Sequence, residues 1–227
     1  MKPILVIVPS LGRPQNAKEF LSHWRKTTSG LSDLLFVLED NDPTMDADPD
    51  SPHTEYLVGN YRSLGKAFNA AFEKNESYDY YAALNDDHWI KTPQWEEASI
   101  DALEDGGIAY GNDLIHGKEL ATAPILDGDL VRALGYIAPP GIAHLYIDNA
   151  WMDIGRGIGQ LHYMPEVIFE HMHPSVGKSD WDDSYHSANS SEANSRDHQS
   201  YQDWLDHRFN GDIERVLTTV DRWRNVR

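Results

Sequence analysis

Three short polar runs in this 227-residue chain carry side chains that could hold a divalent metal or move a proton. The first is Asn85, Asp86, Asp87 and His88, two carboxylates and an imidazole that follow the aromatic, apolar residues 78–84 without a break. The second is Glu170, His171, Met172 and His173. Histidines at i and i+2 of a strand point to one side, so both could approach one metal ion. The third is Asp148, which with Asn149 opens a helical stretch through Trp151, Met152 and Ile154. It is either an ordinary N-cap or a general base for a hydroxyl nucleophile. Glu39 and Asp40 close an apolar run, where carboxylates can accept hydrogen bonds from a ribose or a base, or belong to a solvated loop. Arg62 and Lys66 stand at a helix start, which suits a diphosphate or plain solvated surface.

These groups act together only if the fold brings them to one place. Residues 4–8 (ILVIV), 34–38 (LLFVL) and 78–84 (YDYYAAL) lack strict polar alternation and read as strands covered on both faces. Ala17, Phe20, Leu21 and Trp24 mark a helix over 15–27, and Leu64, Ala67, Phe68 and Ala71 another over 63–74, with a short strand at 55–58 before it. Thr92 as N-cap and Pro93 at the first helical position open a third helix that ends at Gly106 and Gly107. Short strands at 108–110 and 122–126, a brief helix over 130–134 and a strand running to His171 and His173 follow. Alternating strand and helix implies an α/β, Rossmann-like domain with a mostly parallel sheet flanked by helices. In such sheets ligands bind beyond the carboxyl ends of the strands, where 39–40, 85–88 and 170–173 all fall. Residues 174–198, rich in Ser, Asn and Asp, read as a long mobile loop. The expected division is a core domain over 1–173, this loop, and a helical extension over 199–227 with Ile213, Val216, Leu217 and Val220 on one stripe.

Composition narrows the partners. Net charge is −18, with 19 Lys and Arg against 37 Asp and Glu, which repels nucleic acid and anionic membrane at long range. A polyanion would need a local basic patch, and Arg215, Arg222, Arg224 and Arg227 form the one notable concentration. The chain has no cysteine, which fits a reducing compartment and excludes thiolate metal sites. The run of five apolar residues near the N-terminus is too short for a signal segment or a membrane span, so a cytoplasmic protein is expected.

The order of motifs adds a resemblance. An ILVIVPS strand with a GRP loop, an acidic end to the second strand, NDDHW with TPQW behind it, PPG followed by YIDNAW, and EHMHP resemble glycosyltransferases of the GT-A type, family 2-like, and most of all their compact bacteriophage forms. The likeness spans residues 4 to about 185. It implies a GT-A domain in which Pro9, Ser10 and Arg13 line the nucleotide pocket and Glu39 and Asp40 read the base or ribose. Asp87 would bind the metal as the last carboxylate of an Asp-x-Asp motif whose first position is here Asn85. Asp86 would support it or contact the sugar, and His171 or His173 would be the further ligand. One carboxylate, one imidazole, diphosphate oxygens and water suit six-coordinate Mn²⁺, with Mg²⁺ next. Asp148 would be the catalytic base of an inverting transfer from a nucleoside diphosphate sugar, UDP-sugar favoured. The resemblance to phage forms implies modified DNA, a hydroxymethylated pyrimidine, as an acceptor. A sugar-nucleotide nucleotidyltransferase is a rival expectation, although SLGRP is a poor phosphate loop, and a noncatalytic carbohydrate-binding or virion accessory protein is another.

Overall fold

The computed structural model describes residues 2–40, 42–46 and 54–220. The first strands, Ile4–Ser10 (β1), Ser32–Glu39 (β2) and Thr54–Gly59 (β3), are parallel and are joined by the helices Pro14–Thr27 (α1) and, after β3, Leu64–Lys74 (α2). Tyr80–Ala83 (β4) lies parallel to β1 on its other side. Then come His88–Ile90 (β5), Trp95–Ala102 (α3), Ile108–Asn112 (β6), Pro124–Asp127 (β7), Gly128–Leu134 (α4), Ile147–Gly157 (α5) and Leu161–His171 (β8). The eight strands form one sheet in the order β3-β2-β1-β4-β7-β6-β8-β5, in which β7 runs antiparallel to both neighbours and β5 antiparallel to β8. This is the expected α/β architecture.

The unbroken apolar strands follow from covering both faces. Leu5 and Ile7 of β1, with Leu35 and Val37 of β2, pack against Phe68 and Phe72 of α2 and Trp151 and Ile154 of α5. Their chain neighbours Ile4, Val6, Val8, Leu34 and Phe36 turn the other way, onto Phe20, Leu21 and Trp24 of α1 and Trp95 of α3. Both faces are dry, so a polar residue inside either strand would be a buried, unpaired group.

Several local expectations are corrected. Thr92 does not cap α3. Its Oγ1 accepts from Ile168 N (2.8 Å) and donates to Glu166 O (3.1 Å), while Gln94 precedes the helix in the left-handed region. The β8 backbone takes the hydroxyl that a helix start would otherwise use. Asp148 sits in the first turn of α5, not at its N-cap, which is Tyr146 at φ 70°. Its Oδ1 accepts from the adjacent Asn149 N (2.9 Å) and leaves the next turn alone.

Residues 174–198 are mostly helical rather than a loop. Asp182 accepts from Tyr185 N and starts Asp183–Ala188 (α6), and Ser190 accepts from Ala193 N and starts Ser191–Trp204 (α7). The capping side chains make up for the scarcity of apolar residues. A π-helical turn, Leu205–Phe209, then leads into Asn210–Thr219 (α8). Buried Asp212 of α8 accepts from Tyr136 Oη (2.5 Å) and Trp204 Nε1 (3.1 Å) and pairs with Arg215 (2.9 Å), and Trp204 and Val216 join the same core as α2 and α5. Of the C-terminal arginines only Arg215 is among the described residues; Arg222, Arg224 and Arg227 lie outside them. No described helix is long and apolar enough to cross a membrane.

Candidate active site

A cleft of about 750 Å³ opens at the carboxyl ends of β1, β2 and β4 and reaches the start of α5. Asp86 and Asp87 follow β4, and a tight turn in which His88 N donates to Asn85 O (3.0 Å) leads straight into β5. That three-residue strand was not expected from sequence. It pairs with the end of β8, placing His88 opposite His171. Asp87 Oδ1 lies 3.7 Å from His171 Nε2 and 3.7 Å from His88 Nδ1, and the three residues form the one cluster among the described residues with metal-ligand geometry.

Asp87 and His171 fit a hard divalent cation. Asp87 Oδ1, which faces His171 Nε2, is buried without a hydrogen-bond partner, which a folded protein rarely tolerates unless a ligand or water completes it. Burial pushes the Asp87 carboxyl upward, but His171, His88 and Arg13 outweigh it and hold the group well below the usual range. The group is therefore anionic and acceptor-only. His88 is a different case. Its Nδ1 accepts from Asn85 N (3.0 Å), which fixes the turn and puts the ring proton on Nε2. Burial first, and His171 next, push its basicity down to about 3, so it packs as a neutral ring against His171 at 4.4 Å between centroids. His173, the other half of the His-x-His pair, lines the cleft but stands outside this cluster. Strand pairing ends at His171, so the two-residue period no longer applies, and His173 Nδ1 instead caps the next turn through Ser175 N (3.1 Å).

Asp86 is wholly buried beneath the cleft rather than facing it. Its Oδ2 accepts from Ser10 Oγ (2.6 Å), and Oδ1 meets Arg13 Nη2 at 2.5 Å. Burial raises the Asp86 carboxyl to about 7 against the pull of Arg13, whereas Arg13 stays firmly charged because Asp86 and Asp87 outweigh its own burial. Arg13 also lies 3.8 Å from Asp87 Oδ2, 3.8 Å from Asp182 Oδ2 and over the ring of Tyr185. One guanidinium thus faces three carboxylates, a local excess of negative charge that a divalent ion would relieve.

The remaining expected residues divide. Pro9, Ser10, Arg13, Glu39, Arg62 and Asp148 line the cleft; Asp40 and Lys66 are exposed and do not. Glu39 is committed to backbone, accepting from Tyr61 N (3.1 Å) and Arg62 N (2.5 Å), and so shapes the turn that carries Arg62, itself at φ 57°. Asp148 is half-buried, and burial lifts its carboxyl above the ordinary range despite Asn149 N and the nearby imidazoles of His116 and His171. A carboxylate raised in this way is a stronger base than an exposed one, which suits a proton acceptor.

Three contributors were not singled out from the sequence. Tyr185 of α6 donates to Asp87 Oδ2. Asp42 accepts from Gly12 N (2.7 Å) and Thr44 N (2.8 Å), pinning the loop after β1 at a glycine with φ 66°. Asp113, just past β6, accepts from Ile115, His116 and Gly117 N–H groups and from His116 Nδ1 (2.9 Å). The Asp-x-x-His-Gly spacing of residues 113–117 was the readable signal for the last, since an Asp that caps its own turn favours that pattern. For Tyr185 no local signal existed, as its partner is 98 residues away.

No family model and no curated sequence matches the chain. Solved structures do. The chain resembles S. aureus TarS residues 1–349 in complex with UDP at 13% identity and a TM-score of 0.59, over 74% of this chain and 59% of that one. It therefore spans little more than half of that protein. A mannosyltransferase from Pyrobaculum calidifontis in complex with GDP-Man and Mn²⁺ matches at 12% identity and a TM-score of 0.61, over 95% and 73% of the two chains. Glucosyl-3-phosphoglycerate synthase from Mycobacterium tuberculosis, in complex with Mn²⁺, UDP-glucose and phosphoglyceric acid, matches at 11% and 0.58, over 88% and 80%. Likeness at this level shows the fold: the chain adopts the GT-A fold of nucleotide-diphospho-sugar transferases.

Proposed function

We propose that this protein is a metal-dependent glycosyltransferase that moves a sugar from a nucleoside diphosphate donor to an acceptor hydroxyl. The observation that carries this reading is the shared cleft. Buried Asp87, with an unpartnered oxygen that faces His171 Nε2, stands at one end of a GT-A sheet edge, and Asp148, lifted by burial, stands in the same cavity. Structural neighbours bind UDP or GDP-Man, and two are in complex with Mn²⁺, which supports the choice of ligand and cation.

Asp87 and His171 would hold the ion, preferably Mn²⁺ and next Mg²⁺, which when bound neutralises charge growing on the departing nucleoside diphosphate. Arg13, fixed by Asp86, would supply a standing positive charge on the same side. The exposed Arg62 at the start of α2 could meet the outer phosphate oxygens. Asp148 would take the acceptor hydroxyl proton as that oxygen bonds to the anomeric carbon and the diphosphate leaves with the bonding pair, giving inversion. On the acceptor, the resemblance to phage forms favours a hydroxymethylated pyrimidine in DNA, against which the net charge of −18 weighs.

Calorimetry with UDP, with and without Mn²⁺, is the direct test. Binding that requires the metal supports the transferase; sugar binding without nucleotide or metal would favour a carbohydrate-binding module and sink the proposal. Incubation of labelled nucleotide sugars with hydroxymethylated DNA tests the acceptor separately, and absence of label on any modified DNA would eliminate it.

A further inference from the structure

The cleft wall beside Asp148 holds a histidine whose orientation is built in. Asp113 is 1% exposed, and three backbone N–H groups and Thr122 Oγ1 (3.2 Å) converge on its carboxylate. Its remaining partner is His116 Nδ1, 2.9 Å from Oδ2. An ionised carboxylate can only accept, so the ring proton sits on Nδ1, and the lone pair of the neutral ring is on Nε2. Nδ1 is turned into the protein, His116 lines the cleft and its side chain is 44% exposed, so Nε2 is the end offered to a ligand. A carboxylate that fixes a histidine tautomer while the other nitrogen meets a hydroxyl is a recurrent arrangement in acid–base sites.

Resting on the transferase reading above, we propose that His116, positioned by Asp113, is a second residue that contacts the acceptor and orients it, working beside Asp148. Two observations place it on the acceptor side. His116 lines the same cleft as Asp148, the group assigned to the hydroxyl proton, and it comes from the loop after β6, not from the β1 and β4 ends that carry Arg13 and Asp87. His116 Nε2 accepts a hydrogen bond from a second O–H of the acceptor, a neighbouring hydroxyl or, when water is the acceptor, the proton that Asp148 does not take, and so holds the attacking oxygen against the anomeric carbon. The proton of the attacking hydroxyl passes to Asp148, the new C–O bond forms, and the diphosphate oxygen keeps the electrons of the bond that breaks.

The test uses water as the acceptor probe, so that no natural acceptor need be known. Release of UDP from UDP-glucose and of GDP from GDP-mannose is measured with Mn²⁺ for the full chain and for His116→Asn and His116→Gln. His116→Asn keeps a donor to Asp113 and so preserves the loop, but cannot reach the cleft; His116→Gln restores a polar atom near the Nε2 position. The expected result is a loss of at least tenfold in kcat for His116→Asn, donor KM and nucleotide Kd within twofold of wild type, and partial recovery in His116→Gln. An unchanged kcat, or donor KM and Kd that worsen in step with the rate, overturns the assignment. A wild type that releases no nucleotide from either donor removes the transferase reading and this inference with it, an outcome distinct from a working wild type whose His116→Asn form works equally well.

Discussion

Tyr185 donates its hydroxyl to Asp87 Oδ2, joining α6 to the acidic turn after β4 across 98 residues of chain. The same ring lies under the Arg13 guanidinium and edge-on to His173. One oxygen of Asp87 is thus fixed by the phenol while the other faces His171, and this would orient the carboxylate toward a bound cation in the way an outer partner orients a metal ligand.

Replacing Tyr185 with Phe should therefore weaken the metal and leave the fold standing. The ring packing survives, but a buried carboxylate oxygen loses its donor, at a cost of about 1–3 kcal/mol. Calorimetry should find Mn²⁺-dependent UDP binding weakened tenfold or more; affinity equal to wild type would show that Tyr185 only packs.

His171 and His173 should differ in kind. His171→Ala removes the imidazole whose Nε2 faces Asp87 Oδ1 and is expected to abolish the metal dependence of nucleotide binding, whereas His173→Ala loses a turn cap and should shift affinity only a few-fold. Equal losses in the two variants would return His173 to the ligand set.

Asp148→Asn should bind donor and Mn²⁺ as wild type does and transfer nothing. In wild type the rate should rise with pH through a value above the ordinary carboxylate range, because burial favours the protonated form and the base works only when ionised. A rate already flat from pH 4 upward, or normal turnover by Asp148→Asn, would remove it as the base.

Asp113 ties catalytic geometry to stability. Burial works against its charge, yet His116 and the N–H groups of residues 115–117 outweigh that and bring the carboxyl from 3.8 to about 2. A depressed carboxyl stabilises the fold above its unfolded value, and the contribution is lost as pH falls through the folded one, here between about 4 and 2. A shift of this size corresponds to about 2 kcal/mol at neutral pH. Urea denaturation should show Asp113→Asn less stable than wild type by that order at pH 7 and nearly equal near pH 2; a gap that stays constant with pH would mean that packing, not charge, is responsible.

Sequence patterns made the first half of the fold readable because its information is local. ILVIV and LLFVL declare dry strands, and Ala17, Phe20, Leu21 and Trp24 declare the face of α1 that meets them. Asp87 and His171 were legible as metal-binding types, since both end apolar runs. What escaped was pairing at a distance. Nothing within HWI marks it as a strand, because its partner Phe169 to His171 lies some eighty residues on. Asp86, read as a sugar contact or a support, proved to be a buried anchor for Ser10 and Arg13, and no local spacing separates the two roles. The Ser- and Asp-rich run at 182–190 was misread by composition, although its caps, Asp182 and Ser190, were in plain view.

The direct pairing of His88 with His171 across β5 and β8 has an evolutionary consequence. Side chains alternate along a strand, so one residue inserted or deleted in either segment would turn Trp89 or Glu170 toward Asp87 and the histidines away from it. Point substitutions can be tried one at a time here, but changes of length cannot. In the lineage of this protein, gaps should accumulate in the connections and be missing from residues 87–90 and 168–171, even where little identity survives.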